Sequence, residues 1–168
     1  MDQVSTETVQ TNDRLSEVVL DPASIGRGNA NIEHEREVAI YDLLDGNSFK
    51  LEGRDDGPYK LTIGLVDDRL ALTVYSASKP SEEPIVAHHL SLTPFKRIMK
   101  DYFLVLDSYY QAIRTAQPSR IQAIDMGRRG LHDEGSRVLL ERLEGKISID
   151  FDTARRLFTL ISALHWKG

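Results

Sequence analysis

From Tyr59 to Tyr75 the chain changes character every second residue. Tyr59, Leu61, Ile63 and Leu65 alternate with Lys60, Thr62 and Gly64; beyond Asp67-Asp68, Leu70, Leu72 and Val74 alternate with Ala71, Thr73 and Tyr75. A period of two sends successive side chains to opposite faces, so each run is a strand with one apolar face. The paired aspartates between them are turn residues, which makes the two runs an antiparallel hairpin. An isolated hairpin is marginal in water, so further strands and a covering layer must come from the same chain. Phe49 to Leu51, turning through GRDDGP, and Ile85 to Leu90, after SASKPSEEP, complete a four-stranded antiparallel meander. Leu15 to Leu20 is a candidate fifth strand, at an edge.

The covering layer is helical. Asn31 is the expected N-cap of a helix carrying Ala39, Ile40, Leu43 and Leu44 and ending near Gly46, with Glu33 and Glu35 in its first turn. Thr93-Pro94 opens the longest one: threonine caps, proline fits the first position, and Phe95, Ile98, Met99, Tyr102, Leu106, Tyr109 and Ile113 keep helical spacing. Phe103 and Tyr110 widen that stripe; they belong to the core or anchor a partner. Pro118 to Gly145 is a further helix, and a last one, capped by Asp150 or Asp152, buries Ala154, Leu157, Phe158, Ile161 and Leu164. The expected class is α+β: an antiparallel meander under about four helices, three of them in the C-terminal half. Met1 to Asp13, polar throughout, reads as a disordered tail before a single domain spanning 14–168.

Several functions are excluded by what is absent. The chain has no cysteine, which rules out disulfides, thiolate metal sites and cysteine nucleophiles. No apolar run approaches the roughly 20 residues of a membrane span, and MDQVSTETVQTNDR lacks the regions of a signal peptide, so a cytoplasmic location is expected. The net charge of −5 is uneven: Met1 to Leu92 carry 8 basic and 17 acidic residues (−9), and Thr93 to Gly168 carry 13 and 9 (+4). The two halves attract each other, and the overall negative charge opposes nucleic-acid binding.

Three places carry chemistry-bearing residues. Gly26 and Gly28 precede a helix as a phosphate loop would, but Asn31 stands where a third glycine belongs, and a turn with a cap accounts for them. His88-His89 falls on a strand, where neighbours face opposite ways and cannot share one metal ion. The third place is PSRIQAIDMGRRGLHDEGSRVLLERLEG. If Ser119 to Leu143 is one helix, Asp125, Arg129, Asp133, Arg137 and Glu141 form a surface ladder of alternating charge. Ile121, Ile124, Leu131, Val138 and Leu139 form the inward stripe, and Arg128, His132, Gly135 and Arg142 fall inside it. A buried arginine needs a counter-charge. Either Arg128 pairs with an acid of the sheet half, or Arg128 and Arg142 hold a phosphate or carboxylate beside His132, or Gly127, Gly130 and Gly135 break the helix. Arg155 and Arg156 open the last helix, where its dipole disfavours positive charge, and are secondary candidates for anion binding.

The segments GRGNANIEHEREVAIYDLL, HHLSLTPFKRIMKDYFLVLDSYYQAIRTA, IDMGRRGLHDEGS and DFDTARRLFTLISALHW resemble a small alphaproteobacterial family known only as an uncharacterised protein family (UPF0262). The resemblance runs from about Leu15 to the end. It implies a bacterial cytosolic protein and lends no activity, cofactor or catalytic residue. The residues themselves point to a small binding or regulatory module acting through its helical half, without cofactor or metal. An unidentified protein partner or an anionic small molecule is expected, membrane and nucleic acid are not, and homo-oligomerisation stays open. The alternative is an enzyme on a phosphorylated or carboxylated small molecule, with His132 as acid or base and Arg128 and Arg142 holding the anion. A third reading has Arg128, Arg129, Arg155 and Arg156 bind RNA or DNA.

Overall fold

The computed structural model describes residues 12–165, so the expected tail lies outside the described residues apart from its last two. The strands are β1 (Leu15–Leu20), β2 (Lys50–Leu51), β3 (Tyr59–Val66), β4 (Arg69–Ser76), β5 (Val86–Ser91) and β6 (Ile147–Ser148). The helices are α1 (Ala30–Asp45), α2 (Thr93–Thr115), α3 (Pro118–Leu143) and α4 (Phe151–His165). The class is α+β, with three of these four helices in the C-terminal half.

The main sheet has four strands in the order β1-β3-β4-β5. The hairpin forms in the expected register, Leu61 opposite Val74 and Ile63 opposite Leu72, and β5 adds antiparallel to β4. Its first member differs from the expected meander. β1, and not the Phe49–Leu51 segment, lies beside β3, and it runs parallel. Parallel neighbours need a long crossover, and α1 supplies it between β1 and β3. Lys50–Leu51 leaves the sheet to pair with β6, Leu51 opposite Ile147, as a two-stranded ribbon that ties the middle of the chain to its end. Asn47 fastens β1 at its start: its Oδ1 accepts from the Leu15 N–H at 2.7 Å and its Nδ2 donates to the carbonyls of Leu15 and Leu43.

One face of the sheet is apolar and closed. Tyr59, Leu61, Ile63, Leu70 and Val74 are fully buried and share a core with Phe95, Leu139 and Phe158 of the helices. Each aliphatic side chain so placed contributes roughly 2 kcal/mol of burial. His88 stands opposite Leu72 and is half-buried, whereas His89, opposite Ala71, is exposed, as strand alternation requires. Burial, then Lys146 and His89, lower the His88 pKa.

Capping residues are shifted from expectation in two helices. α1 is capped by Asn29, whose Oδ1 accepts from the Ile32 N–H, and Asn31 lies inside the helix. The Glu33 carboxylate reaches back to the Gly28 N–H, and Arg36 donates to both Glu33 and the Gly26 carbonyl. A Cβ on Gly28 would run into the Ile32 side chain, so glycine is there for close packing, and its N–H is already used by Glu33. In α2 the expected threonine cap is absent: Thr93 is helical, and the Ser91 hydroxyl accepts its N–H.

α4 packs against α1 and α3, and α3 against α2, whose Phe95 and Tyr102 rings also reach Phe158 of α4. The buried side of α4 carries Ala154, Leu157, Phe158, Leu160, Ile161 and Leu164, and its polar Asp152, Arg155, Arg156 and Thr159 stay at the surface. α3 runs unbroken through Gly127, Gly130 and Gly135. Gly135 faces the ring of Phe158, which would lie 2.3 Å from any Cβ there, so α3 and α4 meet at glycine contact distance. Of the apolar stripe of α2, Phe95, Ile98, Met99 and Tyr102 are buried, whereas Tyr110 and Ile113 are exposed.

Candidate functional site

The close approach at Gly135 brings one turn of α3 against one turn of α4, and the polar residues of both turns face a cleft of about 620 Å³. Four arginines line it: Arg128 and Arg129 from α3, Arg155 and Arg156 from α4. His132 and Thr159 form its floor with Tyr102 of α2, and Asp152 stands at its wall. No segment of the chain foreshadows this by itself, because the arginine pairs lie 26 or more residues apart in sequence.

Asp125 holds the first pair. Its Oδ1 accepts from Arg128 Nε at 3.0 Å and Nη2 at 2.7 Å, and its Oδ2 lies 2.9 Å from Arg129 Nε. The Arg128 hydrogen bond leads in lowering the Asp125 pKa. Burial opposes the charge on Arg128, but the Asp125 carboxylate and the Tyr102 hydroxyl outweigh it and raise the guanidinium's pKa. The guanidinium also lies 5.7 Å from the ring centre of Tyr109. The counter-ion expected from the sheet half is thus replaced by an acid three residues back on the same helix. The expected ladder is realised at Asp125–Arg129, while Asp133 turns to Arg155 of α4 at 3.5 Å. Arg156 donates to the Gly46 carbonyl at 2.6 Å and makes no ion pair among the described residues.

His132 is 7% exposed, wedged between Phe158 and Tyr102 with ring centres at 5.3 and 5.7 Å. Its Nε2 is 2.7 Å from Thr159 Oγ1, whose one proton is used on the Arg155 carbonyl at 3.0 Å. Both bonds form only when Nε2 carries the imidazole proton, so Nδ1 is a bare acceptor. That Nδ1 is buried with no partner. Burial first, then Arg155, push the imidazole down to about 4, against the opposing pull of Asp133.

Of the sequence candidates, Arg128, His132, Arg155 and Arg156 come together. Arg142 does not: it is exposed, ten residues beyond His132, about 15 Å of helix rise away. Reasoning from the helical wheel placed Arg129 and Asp125 in a solvent ladder, and the sequence assigned Tyr102 to the core stripe of its helix and did not single out Thr159. Only the double arginines at 128–129 and 155–156 signalled the full set.

A second, smaller cavity of about 190 Å³ adjoins the cleft, sharing Tyr102, Arg128 and Thr159 with it. It is more apolar, walled by Phe103, Leu106, Tyr109 and Tyr110 of α2, with Glu35 of α1 and Ser162 of α4. No helix among the described residues is long and apolar enough to cross a membrane.

Comparison with known proteins places these features in a family. The chain is 59% identical over 162 residues to a UPF0262 protein of Rhodopseudomonas palustris (strain TIE-1), covering 96% of this chain and 98% of that one. It is 61% identical over 156 residues to a UPF0262 protein of Azorhizobium caulinodans, covering 92% and 95%. A Nitrobacter hamburgensis UPF0262 protein is 58% identical over 158 residues, covering 94% of each. No solved structure matches the chain significantly. The family model described as Uncharacterised protein family (UPF0262) matches residues 12–167, and the chain belongs to that family.

Proposed function

We propose that the chain is a binding module, not an enzyme, which takes up an anionic small molecule, phosphorylated or carboxylated, in the arginine cleft of its helical half. The observation that carries this reading is the convergence of Arg128, Arg129, Arg155 and Arg156 on one concavity, with three carboxylates, Asp125, Asp133 and Asp152, to balance four guanidiniums. Guanidinium forks match phosphate and carboxylate oxygens two at a time. The same cleft argues against proton-transfer chemistry. An imidazole titrating at about 4 is neutral near pH 7 and a weak base, far from the matched value that general acid-base catalysis needs. A concave site of this size favours a small molecule over the extended basic stripe that tracks a nucleic-acid backbone.

Calorimetric titration of the full chain with inorganic pyrophosphate at low salt tests the reading. Binding is expected to weaken about tenfold in Arg155→Ala and in Arg156→Ala, the loss of one charge-assisted contact. No binding at millimolar pyrophosphate would sink the proposal. Tighter binding of an RNA oligonucleotide than of any small anion would replace it with nucleic-acid recognition.

A further inference from the structure

The arginine cleft and the tyrosine-walled cavity are neighbours, with Tyr102, Arg128 and Thr159 common to both. A residue lining each has one deeply buried polar atom without a partner. Beside the cleft it is His132 Nδ1; beside the cavity it is the hydroxyl of Ser162, a residue only 4% exposed. A helical serine ordinarily satisfies its hydroxyl on the carbonyl four residues back, as Ser136 does here on His132. Ser162 does not. Unsatisfied buried polar groups are rare and call for an explanation, and a ligand in the adjoining spaces supplies one where its binding turns these side chains toward it.

The chemistry of the second cavity narrows that ligand. Tyr109, Tyr110 and Phe103 offer flat aromatic surface, which favours a planar ring. Glu35 makes no ion pair among the described residues, and its carboxylate lies close enough to add to the effect of burial in raising the Tyr110 pKa. A carboxylate at the rim of an aromatic pocket accepts from adjacent N–H groups of a ring edge, and guanine presents two of them side by side. We propose that the two cavities form one site for a guanine nucleotide, the phosphates among the arginines and the base between the α2 aromatics, read by Glu35 and Ser162. This rests on the anion-binding reading of the cleft and adds the identity of the ligand's other end.

The test compares inorganic pyrophosphate, GDP and UDP by calorimetry on the full chain and two variants. The wild type is expected to bind GDP at least about tenfold more tightly than pyrophosphate or UDP, the discrimination that a satisfied against an unsatisfied buried polar site supplies. Glu35→Gln, at an exposed position, and Ser162→Ala, which deletes a hydroxyl that bonds to nothing, both preserve the fold. Each is expected to weaken GDP about three- to tenfold and leave pyrophosphate unchanged. If GDP binds no more tightly than pyrophosphate, or UDP binds as well as GDP, the shared site is overturned while the anion cleft stands. If neither variant changes GDP affinity, the base is not read in this cavity and the proposal fails. If pyrophosphate does not bind either, the cleft reading falls with it.

Discussion

Thr159 joins His132 to the backbone of its own helix: the hydroxyl donates to the Arg155 carbonyl at 3.0 Å and accepts from His132 Nε2 at 2.7 Å. The relay fixes the tautomer of a histidine that is closed in by two aromatic rings, and the burial of that histidine makes the stability of the fold depend on pH.

The unfolded chain protonates His132 near 6.5, and the folded one only near 4, because burial and Arg155 disfavour the cation. Between those values the unfolded state binds the extra proton, so stability is complete above about 6.5 and is lost as pH falls toward about 4. Going from about pH 7 to about pH 5, His132 alone removes on the order of 2 kcal/mol. His88 titrates in the same direction and supplies a smaller background. Urea unfolding at the two pH values checks this: His132→Asn is expected to flatten the difference, and an unchanged slope would refute the assignment.

The three glycines of α3 are not equivalent. Gly127 and Gly130 face open space, so alanine there should stabilise by up to about 1 kcal/mol each through helix propensity. Alanine at Gly135 drives its Cβ into the ring of buried Phe158, and the strain, about 1 to 3 kcal/mol, should exceed that gain. Thermal melts of the three single variants should therefore move in opposite directions. A Gly135→Ala variant at least as stable as the wild type would contradict the contact.

Asn47 carries the attachment of β1 to the end of α1 through three hydrogen bonds, two of them to the backbone of fully buried Leu15. Asn47→Ala leaves those groups unpaired and should cost about 2 to 3 kcal/mol. Asn47→Asp keeps the acceptor for the Leu15 N–H and loses both donors, so an intermediate loss is expected. Denaturant midpoints that do not follow this order would show that the strand is held by its ladder alone.

Asp125 neutralises two of the four cleft arginines. Replacing it by asparagine should raise pyrophosphate affinity roughly three- to tenfold at low salt, and the gain should shrink as salt rises. An affinity that falls instead would mean that Asp125 serves chiefly to aim Arg128 and Arg129.

The hairpin Tyr59 to Tyr75 was legible to the residue because its period is local, and the β5 strand followed from it. The place of β1 was not, since a parallel pairing across α1 depends on contacts more than 40 residues apart. The same holds for Lys50–Leu51, whose partner Ile147 lies near the other end of the chain. In α3 the wheel separated inward from outward residues correctly at His132 and Leu139, which are buried, but gave Arg142 a place in the core that the end of the helix does not have. It sent Arg129 to solvent, and Arg129 is exposed and paired with Asp125 as expected, while its long side chain also reaches the rim of the cleft.

The Pro118 to Gly145 stretch shows where sequence ends and tertiary structure begins. Given one unbroken helix, which the structure shows and the glycines left open, its spacing put His132 inward and Asp125 one turn from Arg129, because those relations depend only on 3.6 residues per turn. Which helix Gly135 admits, and that Arg155 and Arg156 join Arg128 and Arg129 at one cleft, were decided by the approach of α4. That approach is a packing outcome, set by the fit of Phe158 against a bare backbone, and no local periodicity encodes it.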